Sequence, residues 1–255
     1  MNLLETKGLT VSIGGKSICQ DLNFRMKPGE VWGMLGTNGI GKTTLLHTLA
    51  GLRIPDHGEV WIDNAVIGSY NKKCLARKIG MLFQDSLDTF PITVLESVMA
   101  GRYPHIPFYA FESDADISIA KQALVNVELV SLMGRQVTTL SGGERRRLAL
   151  ATLFTQAPMI YLMDEPANHL DLHHQITLLD MVVQRVRAEG GAVLMVLHDV
   201  NLLTRFCSHA MLIIDNNNII CGHTEEVINR ESLEKVYRHP VNVATTGDKE
   251  YFFPA

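Results

Sequence analysis

The chain has 255 residues, 46% apolar, 20% charged and 7% aromatic, enough apolar content to bury roughly 70–75% of its unfolded surface and to exclude a disordered protein. Its 23 basic and 27 acidic residues leave a net charge of -4, with no basic block beyond the arginine triplet 145–147. Nucleic-acid or anionic-membrane binding driven by overall charge is therefore excluded, and apolar runs such as 192–197 fall far short of the roughly 18–20 residues that cross a bilayer.

Along the chain, the opening MNLLETKGLT has neither the basic start nor the apolar stretch of a secretion signal, which predicts a cytoplasmic location. Residues 3–11 and 17–26 read as strands broken at Gly14-Gly15. The turn Lys27-Pro28-Gly29-Glu30 then leads into a buried strand over 31–35. Short apolar runs at 79–83, 159–163, 192–197 and 211–214 predict further buried strands, and helical patterns cover 42–50, 116–130, 142–156, 172–189 and 199–206. This alternation predicts a layered α/β fold. Between about Ser86 and Leu140 the periodicity is helical, with X-Pro breaks at Tyr103-Pro104 and Ile106-Pro107 and no strand pattern. With the helix that follows, it reads as a helical subdomain of about 86–157 inserted into the core. The segments 241–245 and 250–253 around Thr246-Gly247-Asp248 read as a hairpin, making 240–255 a C-terminal β-hairpin extension. Four cysteines, at 19, 74, 207 and 221, form no C-x-x-C pair and sit among apolar neighbours, which predicts reduced, packed thiols.

Gly36-Thr37-Asn38-Gly39-Ile40-Gly41-Lys42-Thr43 follows one buried strand and opens a helix, the context of a phosphate-cradling loop. Its glycines let backbone N–H groups face the phosphates, Lys42 reaches the terminal phosphates, and Thr43 offers a hydroxyl to magnesium. A second buried strand ends in Asp164-Glu165, two carboxylates at the sheet edge where α/β proteins bind ligands. Asp164 suits magnesium, and Glu165 suits the polarisation of an attacking water. His198 ends a third strand on the same edge, within reach of a terminal phosphate. Leu140-Ser141-Gly142-Gly143-Glu144 precedes a long helix and reads as a capping box, while its two glycines also allow an external phosphate to approach. Spacing alone does not show whose phosphate that is.

With these motifs in this order, and with Gln84 after strand 79–83 and Ala167-Asn168-His169-Leu170-Asp171 after the acidic pair, the sequence resembles the nucleotide-binding subunits of ATP-binding-cassette (ABC) transporters over nearly its whole length. The resemblance implies a single ATPase domain spanning 1–255: a P-loop NTPase core with a mostly parallel sheet, an N-terminal antiparallel β subdomain and the inserted helical subdomain. It implies ATP held by Gly36, Thr37, Asn38, Gly39, Ile40, Gly41, Lys42, Thr43 and Thr44, and Mg2+ at Thr43, Gln84 and Asp164. Catalysis would fall to Glu165 and His198. Ser141, Gly142, Gly143 and Glu144 of one copy would cover the nucleotide of the other in a homodimer, with Asp171 coupling the two. The implied partners are two membrane-spanning permease subunits and an extracytoplasmic substrate-binding protein, with no nucleic acid, at the cytoplasmic face of the inner membrane.

Gly101-Arg102-Tyr103-Pro104-His105, the run 197–202 and the terminal stretch 241–253 are similar to the branch importing iron-siderophore, haem and cobalamin complexes. An exporter ATPase or a non-transport complex is the alternative. The chain departs from the family pattern twice. Ile13 stands where an aromatic residue usually stacks on adenine, and Arg146 stands where glutamine is common, the latter with a small expected effect. His169 and His173 at helical spacing, with His174 beside them, do not make a convincing metal site because no third ligand is fixed by spacing.

Overall fold

The structure is a computed structural model that describes residues 2–84, 91–168, 170–247 and 249–255. Strands β1 (Leu4–Ile13) and β2 (Lys16–Leu22) form the opening hairpin. The short β3 (Arg25–Met26) pairs with the start of β1, so the expected strand 17–26 is broken in two. After β4 (Val31–Gly36) and α1 (Lys42–Leu49), the chain returns to this sheet as β5 (His57–Ile62) and β6 (Ala65–Val66), giving the antiparallel order β2-β1-β5-β6. Helix α2 (Lys72–Lys78) leads into β7 (Ile79–Leu82). Helices α3 (Val94–Met99), α4 (Asp114–Asn126) and α5 (Gly142–Gln156) then intervene before β8 (Ile160–Met163). The remainder is α6 (Leu172–Glu189), β9 (Ala192–Val196), α7 (Val200–Phe206), β10 (His209–Asp215), β11 (Asn218–His223), α8 (Thr224–Val227), α9 (Arg230–Tyr237), and the terminal hairpin of β12 (Val241–Thr246) and β13 (Lys249–Pro254).

The second sheet runs β11-β10-β4-β9-β8-β7 and is parallel except for the edge pair β10–β11. A mixed α/β architecture with a mostly parallel sheet and a separate antiparallel sheet is thus the fold class the sequence predicts. Alternate residues of the central strands feed two cores. Val193 and Met195 of β9 join the helical core with α3–α7, while Ala192, Leu194 and Val196 face the antiparallel sheet and α1. Burial on both faces explains why these strands read as unbroken apolar runs. Where the single turn Ala100–Arg102 passes α5, a Cβ on Gly101 would stand 2.3 Å from the Thr152 carbonyl, so only glycine permits that approach.

Register decides where the chemistry lands. Met34 pairs with Val196, Met163 with Met195, and Leu82 with Met163. The carboxyl ends of β4, β9, β8 and β7 therefore lie along one edge, which gathers Thr37, His198, Asp164 and Gln84. The thiols divide unevenly: Cys19 and Cys207 are buried, but Cys74 and Cys221 are exposed, so the packed reading holds for two of the four. Cys74 lies in α2, which buries none of its residues.

Candidate functional site

The loop from Gly36 enters α1 through Gly41, whose φ of 109° lies in the left-handed region and whose Cβ, if present, would stand 2.6 Å from Ile18. Glycine is needed here on both counts. No side chain caps α1, so its first N–H groups face the loop with the positive end of the helix behind them, an anion site by construction. Lys42 is buried, and its Nζ donates to the carbonyls of Gly36 (2.7 Å) and Thr37 (3.0 Å). Burial lowers its pKa from 10.5, against the opposing pull of Glu165 and Asp164.

Asp164 is 1% exposed, and among the described residues neither carboxylate oxygen has a partner in hydrogen-bond geometry. Burial raises its pKa from 3.8, and the Thr43 hydroxyl offsets part of that rise. A buried, unpaired carboxylate costs free energy unless a cation meets it. An acidic oxygen next to a hydroxyl is the hard donor chemistry of magnesium, so the residues present fit that ion.

Glu165 is the hub of the adjoining cluster. Its Oε1 lies 2.6 Å from His198 Nε2, while its Oε2 accepts from Gln84 Nε2 at 3.0 Å and from the amide of Asn168. Its φ of 50° is left-handed, a sparsely populated conformation for a non-glycine residue. A cavity of about 140 Å³ opens beside it, lined by Asn168, Gln175, His198 and neighbours. Gln84, Asp164, Glu165, His198, Lys42 and Thr43 are therefore brought to one place. Asn168 was assigned no role from sequence, although its position three residues past Glu165 is a local signal for this contact.

The segment Ser141–Glu144 stands apart. Ser141 caps α5 by accepting from Glu144 N–H (3.3 Å), and Glu144 Oε2 accepts from Ser141 N–H (2.7 Å), which closes the capping box. The latter bond lowers the Glu144 pKa. Ser141 and Gly142 are exposed, and among the described residues no hydrogen bond or ion pair joins this tip to the phosphate loop. Asp171 likewise caps α6, accepting from the His174 N–H and facing its ring nitrogen, both at 2.9 Å. His169 lies outside the described residues, and among those described no group of three metal-ligating side chains gathers.

Arg146, for which the sequence predicts a small effect, is buried, and its guanidinium donates to carbonyls at the ends of both β7 and β8.

Comparison with known proteins places this geometry. Residues 19–168 match the family described as ABC transporter. The chain is 36% identical over 234 residues to the ferric enterobactin transport ATP-binding protein of Escherichia coli strain K12, covering 92% of this chain and 86% of that one. It is also 36% identical over 242 residues to the petrobactin import ATP-binding protein of Bacillus anthracis, with 95% and 89% covered. The hemin import ATP-binding protein of Pseudomonas aeruginosa is 34% identical, with 93% and 96% covered. Among solved structures, a metal-chelate type ABC transporter in an inward-facing conformation matches with a TM-score of 0.85 at 27% identity, covering 100% of this chain and 98% of that chain.

Proposed function

Because this chain belongs to the ABC transporter family as an ATP-binding subunit that hydrolyses ATP, we propose that two copies close head to tail on two ATP molecules and drive import of a metal-chelate type substrate through separate permease subunits. Similarity to the enterobactin, petrobactin and hemin proteins supports the cargo class and an extracytoplasmic substrate-binding protein as the delivering partner. No helix among the described residues is long and apolar enough to cross a membrane. The subunit then sits peripherally at the cytoplasmic face of the inner membrane, docked on its permease. The exposed aromatic group Tyr103, Phe108, Tyr109 and Phe111 supports that docking. Its loop is anchored by Arg77 to the Pro104 carbonyl (2.6 Å) and by His105 to Gln156 (2.8 Å). In this reading the chain is one ATPase domain with a helical subdomain of about 86–157 and the hairpin extension 240–255.

In the chemical step, Gly36 to Thr44 hold the triphosphate. A Lys42–phosphate contact at about 4 Å contributes on the order of 4 kcal/mol of Coulomb energy at an effective dielectric near 20, before desolvation. Magnesium, when bound at Thr43, Asp164 and Gln84, neutralises charge on the phosphate oxygens. Glu165 orients a water against the terminal phosphorus and accepts its proton, while His198 and Asn168 fix the carboxylate's direction. The observation that carries this reading is the buried, unpaired Asp164 carboxylate beside Lys42 and Thr43, one residue from a glutamate held by Gln84 and His198.

Glu165→Gln tests it. The variant should bind MgATP normally, lose turnover by about 10²–10⁴-fold, and accumulate an ATP-bound dimer detectable by light scattering. Unchanged phosphate release would overturn the assignment.

A further inference from the structure

Arg146 lies on the second turn of α5, two residues beyond Glu144 of the capping box. Among the described residues its guanidinium nitrogens donate to five carbonyl oxygens. Nη1 reaches Phe83 (2.5 Å) and Gln84 (3.3 Å), Nη2 reaches Asp164 (2.6 Å) and Glu165 (2.7 Å), and Nε reaches Pro166 (3.0 Å). Successive carbonyls in extended backbone point to opposite sides. Those of 164, 165 and 166 converge on one group where the chain turns through left-handed Glu165. The gathered oxygens create negative potential in a buried place, and a planar cation with a fixed fork of donors suits it.

We propose that Arg146 is a positioning residue for hydrolysis: rooted in the helix whose tip is Ser141–Gly143, it fixes the backbone of both strand ends so that Gln84 and Glu165 face each other across the site. From the other side the same two residues join through their side chains at 3.0 Å. The pair is thus held twice, by its own hydrogen bond and by a guanidinium behind it. Glutamine in this position has two N–H donors and no charge. Lysine keeps the charge but carries three donors without the planar fork. Neither can replace all five bonds, so each leaves strand-end carbonyls unsatisfied and the catalytic carboxylate less well aimed. Arg146 touches neither substrate nor reacting atoms; it acts through Glu165, and the inference rests on the reading of Glu165 given above.

The test uses the full chain with MgATP, measuring kcat, KM, equilibrium nucleotide affinity and melting temperature for Arg146→Gln and Arg146→Lys. Misalignment on the scale of about 1 Å costs on the order of 10²-fold in rate. Arg146→Gln should therefore lose about 10- to 100-fold in kcat while nucleotide affinity stays within about twofold. Arg146→Lys should fall between it and the parent. In single-turnover measurements, Glu165→Gln combined with Arg146→Gln should be no slower than Glu165→Gln alone, because both act on one group. A folded Arg146→Gln with parental kcat, a loss confined to nucleotide affinity, or full additivity with Glu165→Gln overturns the proposal. Failure of both Arg146 variants to fold does so too, since it assigns the residue to stability alone. Normal turnover in Glu165→Gln would instead sink the reading of Glu165, an outcome distinct from normal turnover in Arg146→Gln.

Discussion

Two helix starts in this chain are suited to phosphate, and they are built in opposite ways. At α1 the cap is Gly41 with no side-chain bond, the lysine is buried behind the loop, and Asp164 stands at the end of β8, two strands across the sheet from β4, with no hydrogen-bond partner among the described residues. At α5 the start is exposed and already satisfied by a reciprocal Ser141–Glu144 box whose carboxylate is held ionised. The first is half of a site that closes inside one chain. The second has only its glycine N–H groups and the Ser141 hydroxyl to give, and it gives them outward. In the proposed head-to-tail dimer, a second copy would supply at each end what one copy lacks.

The most forceful way to break this comparison is Ser141→Arg. If the α5 tip serves a partner's nucleotide, the bulky cation should cut hydrolysis by about 10²-fold, the scale on which one lost transition-state donor is felt. ATP affinity of the isolated chain should hardly move. Equal loss of affinity in monomer and dimer, read by paired titrations, would return Ser141 to a purely local role. Ser141→Ala serves as a control for the cap itself, with an expected cost of about 1 kcal/mol in thermal stability.

The other helix start makes a prediction about stability. Asp164 is buried without a partner, and its pKa lies above the ordinary 3.8. A raised carboxylate pKa means that the folded state holds its proton more tightly than the unfolded chain does. This contribution to stability is fully present below pH 3.8 and is lost as pH rises through the raised value. As pH rises toward neutral, the nucleotide-free protein therefore loses this contribution. Asp164→Asn should raise its stability by about 1–3 kcal/mol while abolishing turnover. Melting curves against pH, without nucleotide or magnesium, should converge for the two proteins at low pH and separate above it. Parallel curves would show that the carboxylate is better solvated than its surroundings imply.

What the sequence made legible follows the same division. Strands β4, β8 and β9 are buried on both faces, so their apolar runs stood out, and the residues at or just past their ends, Gly36, Asp164 and His198, were legible as candidates for the site. Strand β5 was missed because its first three residues are exposed and only Val60 and Ile62 are buried. Helix α2 has no fully buried residue, and β11 is an edge strand with none either, so neither leaves a periodic trace. Arg146 escaped for another reason: it bonds carbonyls 18 to 63 residues away, and pattern along the chain does not encode such a distance, whereas Asn168 bonds Glu165 only three residues back, a contact that local spacing signals.

The finest distinction concerns the base at the other end of the triphosphate. Ile13 closes β1 at 48% exposure, with the open turn Gly14-Gly15 beside it, so where the family pattern puts a base-stacking aromatic residue this position presents an apolar side chain without a π face. A β-branched side chain can cover part of a ring; it cannot distinguish adenine from guanine by stacking. Ile13→Tyr restores an aromatic face at an exposed strand end, where the larger ring meets no packed neighbour. The gain in a ring–ring contact is about 0.5–1.5 kcal/mol, which corresponds to roughly two- to tenfold tighter ATP binding. The parent should separate ATP from GTP less sharply than the variant in competitive titrations. Because Ile13 ends a strand of the antiparallel sheet while Glu165 follows β8 of the other sheet, kcat at saturating ATP should be unchanged, so the substitution reads base recognition alone. An unaltered ATP affinity would show that the base lies elsewhere than against the end of β1.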